Sequence, residues 1–163
     1  MLRRRLCGLA ALATALVCTS ASAATSDPIG DLLHTVQGAA DAALKAPEFL
    51  MKATYYFLGA RGVRTRDSMG CKAVPMRTLA VDPGVVPKGS IVFIKETVGL
   101  PMPNGAVHDG LWYASDVGGA IRGQRIDLYT GQGAASAKVV KALNLRNLSV
   151  TRISTFEGCP PAS

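Results

Sequence analysis

The sequence predicts a mainly β domain, a small closed barrel with an N-terminal helix before it and one late helix within it. After about residue 50, short runs rich in β-branched and aromatic residues recur along the chain. Glycine, proline and asparagine separate these runs, as they do at turns. One later stretch has helical spacing of its apolar residues. With 163 residues, the chain has the length of a single domain.

Residues 1–23 have the pattern of a signal peptide. Three arginines at positions 3–5 precede an apolar stretch at 9–17, which is too short for a stable bilayer anchor, and small residues at 21–23 form a cleavage site. An uncleaved membrane anchor or a core helix is the alternative. We expect an exported protein, periplasmic or extracellular, with no integral membrane span once the signal is removed.

The charge of the mature chain is mildly positive. Without residues 1–23, 15 basic residues remain against 11 acidic residues, a net charge of +4. This excess suits an anionic cell-wall polymer or a lipid headgroup surface. Nucleic-acid binding is not predicted, because no run of lysine and arginine is interleaved with aromatic residues.

Two of the four cysteines remain after signal removal. Cys7 and Cys18 lie in the signal segment, whereas Cys71 and Cys159 lie in the mature chain. In an exported protein, the simplest interpretation of such a pair is a disulfide, and two free thiols are the alternative. No metal site is predicted, because no histidine lies near either cysteine.

Residues 24–50 are predicted to be a helical segment. Ser26 and Asp27 supply a capping side chain, Pro28 suits the first helical position, and Pro47 ends the segment. Apolar residues follow at helical spacing: Ile29, Leu32, Leu33, Val36, Ala40 and Ala43. We expect this stripe to pack on the domain or on a partner, for which an envelope protein is a candidate.

The barrel domain is predicted to span residues 51–159. Its strands are expected at 54–57, 78–81, 90–94, 111–114, 124–129 and 150–154. Residues 134–143 are expected to form the late helix, with Val139, Val140 and Leu143 buried.

Residues 97–109 are expected to form a surface hairpin or loop. At its end we interpret His108 and Asp109 as polar loop residues; a catalytic or metal-binding role is the alternative, which a single histidine supports weakly. Trp112, the one tryptophan, is expected in the core, with stacking on a sugar as the alternative.

Asp127 lies inside a predicted strand, where aspartate is uncommon. Side chains alternate along a strand, so Ile126 and Leu128 are expected to fill the barrel. Arg125, Asp127 and Tyr129 then share the opposite face and are expected to line a groove. A catalytic acid explains Asp127 there, and a surface salt bridge with a neighbouring arginine is the alternative.

Two further aspartates lie in turn-like contexts. Asp116 precedes a Gly-Gly pair, and Asp82 precedes Pro83. Aspartate commonly bonds its own backbone at such turns, so each position alone has an ordinary structural explanation.

Three segments together resemble the three-aspartate (3D) domain family. They are residues 81–89 (VDPGVVPKG), 115–123 (SDVGGAIRG) and 126–131 (IDLYTG), and their order and spacing fit the family. Residues 127–133 are also similar to the catalytic domain of the membrane-bound lytic transglycosylase A family. The resemblance covers roughly residues 51–155.

The resemblance implies a six-stranded double-psi β-barrel and a specific reaction. The family cleaves the β-1,4 bond between N-acetylmuramic acid and N-acetylglucosamine in peptidoglycan, and the product carries a 1,6-anhydro ring. Peptidoglycan glycan strands would be the partner, and no metal or organic cofactor is implied. The larger enzymes carry a second domain that helps to form the groove, which we expect this chain to lack.

The resemblance also assigns roles to residues. Asp127 would be the acid and base, Asp116 would position or support it, and Asp82 would hold the network and contact sugar. One carboxyl group can donate a proton and later accept one if its pKa is raised, which burial and neighbouring carboxylates achieve. Substrate contacts are expected from Thr54, Tyr55, Gly118, Gly119 and Tyr129.

Two other functions stay open at this point. A non-catalytic peptidoglycan-binding or wall-loosening module could use the same barrel, because one fold hosts several functions. A structural or inhibitory envelope protein could act through the N-terminal helix.

Overall fold

The computed structural model describes residues 27–162. The predicted signal peptide, with Cys7 and Cys18, therefore lies outside the described residues. Helix α1 spans Pro28–Leu44. The strands are β1 (Phe49–Leu58), β2 (Thr78–Val81), β3 (Ser90–Ile94), β4 (Leu111–Asp116), β5 (Arg125–Gln132) and β6 (Asn147–Thr155). Lys95–Thr97 and Ala134–Leu143 form 3₁₀ helices.

The six strands close into a barrel in the order β1-β5-β2-β4-β3-β6. The pairs β1/β5 and β2/β4 are parallel, and the other pairs are antiparallel. The mainly β prediction is confirmed. β1 is longer than predicted because its first residues, from Phe49 to Lys52, pair with β6. The local sequence does not indicate this pairing.

The barrel interior is an apolar core that contains Ile126 and Leu128, as strand alternation predicted. Trp112 lies in the same core with no exposed surface, and its indole N–H donates to the Thr97 hydroxyl at 3.0 Å. The prediction that Trp112 is a core residue is confirmed.

Helix α1 docks on the barrel by a face other than its apolar stripe. Asp27 caps the helix by accepting the Ile29 N–H, as predicted. Ala42 is buried, and Gly38 approaches Ile153 closely. Ile29, Leu32, Leu33 and Val36 are each between 56% and 70% exposed. The four large residues of the stripe therefore do not pack on the domain, because small residues on the opposite face of the helix allow a closer approach.

The late helix is a 3₁₀ helix rather than an α-helix. Its buried residues are Ala137, Val140 and Leu143, three positions apart, which matches three residues per turn. Val139, predicted to be buried, is partly exposed for the same reason.

Residues 97–109 include the predicted hairpin, with Pro101 bridged to Val107. His108, at its end, is buried. Its Nδ1 accepts the Gly110 N–H at 2.8 Å, so its Nε2 donates to the Met76 carbonyl at 2.7 Å. Burial lowers the pKa of His108 to about 4, so this imidazole is a neutral structural group. Asp109 pairs with Arg77.

Within residues 27–162, no helix is both long enough and apolar enough to cross a membrane.

Candidate active site

An open cleft of about 470 Å³ lies where β1, β4 and β5 meet the connection between β1 and β2. Asp116 and Asp127 both line it. Two of the three predicted aspartates are therefore brought together in one cavity.

Register aligns four residues in a row across adjacent strands. Thr54 on β1 pairs with Asp127 on β5, Asp127 pairs with Ala80 on β2, and Ala80 pairs with Asp116 on β4. Directly paired residues share a face of the sheet, so the small Ala80 separates the two carboxylates without filling the space above them. We call Thr54, Asp127, Ala80 and Asp116 the cross-strand row.

A β-bulge at the end of β4 places Asp116 in this row. Leu79 pairs with Ala114, but Ala80 pairs with Asp116, so Ser115 has no partner in the ladder. An extra residue of this kind redirects the side chains that follow it. Without the bulge, the alternation of β4 would send Asp116 to the opposite face of the sheet from Asp127.

Asp127 is a half-buried carboxyl group with a raised pKa. The Thr54 hydroxyl donates to its Oδ1 at 2.7 Å. Burial raises the pKa of Asp127 to about 6, with a further upward contribution from the Asp116 charge; the Thr54 hydrogen bond and Arg125 act in the opposite direction. A carboxyl group with this pKa exists in both protonation states near neutral pH, which general acid and base catalysis requires.

Three donors fix the orientation of Asp116. The Tyr56 hydroxyl donates to Oδ2 at 2.7 Å, and the backbone N–H groups of Ser68 and Val117 donate to Oδ1 at 3.0 and 2.8 Å. Asp116 therefore supplies a fixed negative charge next to Asp127.

Tyr56 is a site residue that sequence reasoning missed. It lines the cleft, whereas the predicted Tyr55 packs against the barrel core. Burial and the Asp116 charge raise the pKa of Tyr56, so it stays a neutral hydroxyl donor. Strand alternation could have identified it, because Thr54 and Tyr56 must share a face if Thr54 faces the groove.

Tyr129 lies behind the cleft rather than on its surface. It is 5% exposed, and its ring centroid is 5.1 Å from that of Tyr56. The structure does not place Thr54, Tyr55 or Tyr129 in the cleft lining, although Thr54 hydrogen-bonds Asp127, which does line it. Their substrate-binding roles stay predictions, and the geometry favours a packing role for Tyr129.

Asp82 is not among the residues that line the cleft. Its carboxylate accepts the Gly84 N–H at 3.0 Å and the Gly123 N–H at 2.7 Å. The Gly123 hydrogen bond, more than that of Gly84, lowers the pKa of Asp82. Asp82 thus ties its own turn to the segment that leads into β5, and its predicted sugar contact stays a prediction.

Gly118 and Gly119 both line the cleft, but a side chain would meet different surroundings at the two positions. A Cβ at Gly118 would lie 2.7 Å from Ile121, so the turn itself requires glycine there. A Cβ at Gly119 would meet no atom within 4 Å. Of these two glycines, Gly119 is the one whose missing side chain leaves open space in the cleft.

The connection between β1 and β2 forms another part of the cleft, which sequence reasoning did not assign. It contributes Arg61, Arg64, Arg66 and Ser68 to the lining. A local signal existed, because three arginines within six residues follow the β1 strand directly.

The predicted disulfide between Cys71 and Cys159 is confirmed. It joins residues 88 apart in sequence, with Cα atoms 5.5 Å apart. Cys71 ends a tight turn in which Asp67 Oδ1 accepts the N–H groups of Met69 and Cys71. This turn carries Ser68, so the disulfide holds the segment that contacts Asp116.

Replacing Thr54 with valine should raise the pKa of Asp127 above its value of about 6. Valine keeps the shape of threonine but removes the hydrogen bond that favours the carboxylate. The measurement is an NMR titration of the Asp127 carboxyl carbon, with Thr151→Val on β6 as the matched control. An equal or lower pKa in Thr54→Val would contradict the hydrogen bond as a determinant.

Comparison with known proteins identifies related sequences. Residues 77–143 match the sequence model of the 3D domain. The membrane-bound lytic murein transglycosylase A homolog of Buchnera aphidicola is 31% identical, over 58% of this chain and 27% of that protein.

Solved structures show a further likeness. E. coli MltA with bound chitohexaose is 24% identical, with a TM-score of 0.44, over 60% of this chain and 30% of that chain. LtgG, a lytic transglycosylase of Burkholderia pseudomallei, is 26% identical, with a TM-score of 0.41, over 64% of this chain and 29% of that chain. The chain spans less than a third of the length of these relatives.

Proposed function

We propose, from the match of residues 77–143 to the 3D domain model, that the protein is a peptidoglycan lytic transglycosylase. It cleaves the β-1,4 bond between N-acetylmuramic acid and N-acetylglucosamine and leaves a 1,6-anhydro ring. The observation that supports this most is Asp127, a half-buried carboxyl group with a pKa of about 6 beside the Asp116 carboxylate in an open cleft. The similarity to the Buchnera relative supports the same class.

In the proposed reaction, protonated Asp127 donates its proton to the glycosidic oxygen as the bond to the anomeric carbon breaks. The resulting Asp127 carboxylate accepts the proton of the substrate's own O6 hydroxyl, which attacks that carbon. No water is consumed, so one carboxyl group serves in both steps. An inverting or retaining hydrolase instead divides the work between two carboxyl groups and uses water.

Asp116 has a supporting role in this proposal. Its charge is held beside Asp127 by Tyr56, Ser68 and Val117. Burial is the main cause of the raised pKa of Asp127, and the Asp116 charge adds to it. The same fixed negative charge would stabilise positive charge at the anomeric carbon in the transition state. Asp82 acts at a distance in the same proposal, by holding the segment that leads into β5.

The proposal also includes the class of the barrel. We assign the barrel to the double-psi class, for which the closed order of six strands and the parallel pairs β1/β5 and β2/β4 are the support. Export to the periplasm or the extracellular space also stays part of the proposal, and the Cys71–Cys159 disulfide supports it.

Mass spectrometry of purified peptidoglycan after incubation with the protein tests the reaction. We expect products that end in 1,6-anhydro-muramic acid. Products one water heavier would replace the transglycosylase assignment with hydrolysis. Absence of products with retention on the peptidoglycan pellet would favour the alternative, a non-catalytic peptidoglycan-binding or wall-loosening module.

We also propose that an envelope protein docks on α1, in addition to the enzymatic function. Its support is the exposed stripe of Ile29, Leu32, Leu33 and Val36. The stripe lies outside the cleft lining, so loss of this contact would leave the chemistry of Asp127 intact.

A further inference from the structure

Three arginines, Arg61, Arg64 and Arg66, line the cleft that contains Asp116 and Asp127. We call them the arginine wall. They lie on the connection after β1, outside the 77–143 segment that matches the 3D domain. Their function therefore does not follow from the match and has to be derived from their surroundings.

The arginine wall does not stabilise the fold through ion pairs. Arg61 and Arg64 are exposed, and within residues 27–162 they form no salt bridge and donate no side-chain hydrogen bond. Arg66 donates to the Gly70 carbonyl at 2.6 Å, which leaves most of its five donors unused.

The arginine wall also does not set the protonation of the candidate acid. Arg125 on β5 is the cation that lowers the pKa of Asp127, and burial outweighs it. Cations close enough to Asp127 to ionise it would defeat proton donation near neutral pH. The charged groups that shift the pKa of Asp127 are Asp116 and Arg125, neither of which belongs to the arginine wall.

The connection that carries these arginines is ordered at both ends. Gly59, with a φ angle of 106°, lies in a turn closed by the Ala60 N–H to Phe57 carbonyl bond at 3.2 Å. Gly62, with a φ angle of 83°, lies in the next turn, closed by the Val63 N–H to Ala60 carbonyl bond at 3.1 Å. At the other end, the Ala73 N–H donates to the Thr65 carbonyl, and the Cys71–Cys159 disulfide follows. A preordered backbone lowers the entropy lost when a ligand binds.

We infer that the arginine wall binds carboxylate groups of the glycan substrate. Guanidinium is planar and donates two parallel hydrogen bonds to a carboxylate, which makes arginine suited to this recognition. The inference rests on the proposed function and adds a substrate preference to it. Peptidoglycan offers two sources of carboxylate: the lactyl group of N-acetylmuramic acid where no peptide is attached, and the peptide stem.

The experiment compares three substrates. These are glycan strands stripped of peptide, which carry free lactyl carboxylates; the same strands with those carboxylates converted to neutral methylamides; and intact peptidoglycan. The test variant is Arg61→Gln/Arg64→Gln. The matched control is Lys141→Gln/Arg146→Gln, which removes the same charge from exposed positions that do not line the cleft.

We expect the unmodified protein to cleave a carboxylate-bearing substrate with a kcat/KM at least tenfold above that for methylamide strands. The test variant should lose this preference and the control variant should keep it. Preference for stripped strands identifies the lactyl group as the source, and preference confined to intact peptidoglycan identifies the stem. Equal kcat/KM for all three substrates in the unmodified protein, or a preference that survives in the test variant, would overturn the inference.

Binding separates this inference from the proposed function. In an Asp127→Asn background, which cannot cycle a proton, binding of carboxylate and methylamide strands is measured directly. A preference that depends on Arg61 and Arg64 supports the arginine wall even if no anhydro product forms in the cleavage assay. An equal affinity for both strands would overturn the inference that the arginine wall binds carboxylates. The proposed reaction would still be tested separately, by the products of the cleavage assay.

Discussion

Replacing Asp127 with asparagine should abolish formation of anhydro products, with a loss of at least a thousandfold in kcat. The amide keeps the shape of the carboxyl group and can still accept the Thr54 hydroxyl, but it can neither donate the proton nor take it back. Product formation is measured by mass spectrometry, with Asp41→Asn on the exposed side of α1 as the control for the same chemical change. Activity retained in Asp127→Asn would remove this residue from the mechanism.

The same substitution should not destabilise the fold above pH 6. The pKa of Asp127 is about 6 when folded and near the ordinary value of 3.8 when unfolded. The folded state therefore binds this proton more tightly, and stability falls as pH rises from about 4 to 6, then stays at the lower level. Asparagine lacks this penalty. The melting temperature of Asp127→Asn relative to the unmodified protein should therefore be higher at pH 7 than at pH 4, and an opposite trend would contradict the raised pKa.

The cleavage rate should follow the same group. Protonated Asp127 starts the proposed reaction, so kcat/KM should fall as pH rises through about 6. A loss of activity above pH 6 with the fold intact would indicate deprotonation of the proton donor, whereas unfolding would also lower the thermal stability.

Removing the disulfide should lower both stability and activity. The bridge closes a loop of 88 residues, and the chain-entropy model gives about 4–5 kcal/mol as an upper value for a loop of this size. The bridge also holds the turn from Asp67 to Cys71, whose Ser68 N–H contacts Asp116. We therefore expect Cys71→Ser/Cys159→Ser to melt at a lower temperature and to cleave more slowly even well below its melting temperature.

Two measurements check this second prediction. Calorimetry with and without reductant reports stability, and a thiol-reactive dye reports free cysteines before reduction. An unchanged melt with both thiols reactive beforehand would dismiss the bridge. A lower melting temperature with full activity at low temperature would show that the turn keeps its position without it.

Local patterns predicted the strands, because short β-rich runs between turn residues are a local property of the chain. The cap at Asp27, the core position of Trp112 and the cysteine pair were predictable for the same reason. Details that depend on tertiary contacts were predicted less well, including the face of α1 that packs on the barrel. The apolar stripe of α1 faces outward because Gly38 and Ala42 allow closer packing on the opposite surface.

The candidate site was predicted only in part. Asp127 and Asp116 were found because aspartate in a strand and a glycine-patterned motif are visible in sequence. Tyr56 was missed and Tyr55 chosen in its place, although alternation from Thr54 contained the answer. The cluster of three arginines was visible in the sequence, but the arginine wall was missed because the sequence does not show that this loop faces the two aspartates.

The sequence by itself determined the strand content, the disulfide pair and the segment that matches the 3D domain. The tertiary structure decided which of the three aspartates share a cleft. Thr54 and Asp127 are 73 residues apart along the chain, and only strand register brings them within 2.7 Å. Asp116 joins them through a bulge, whereas Asp82 bonds backbone outside the cleft lining. The raised pKa of Asp127 has the same origin, because burial and a neighbouring charge exist only after distant strands have paired.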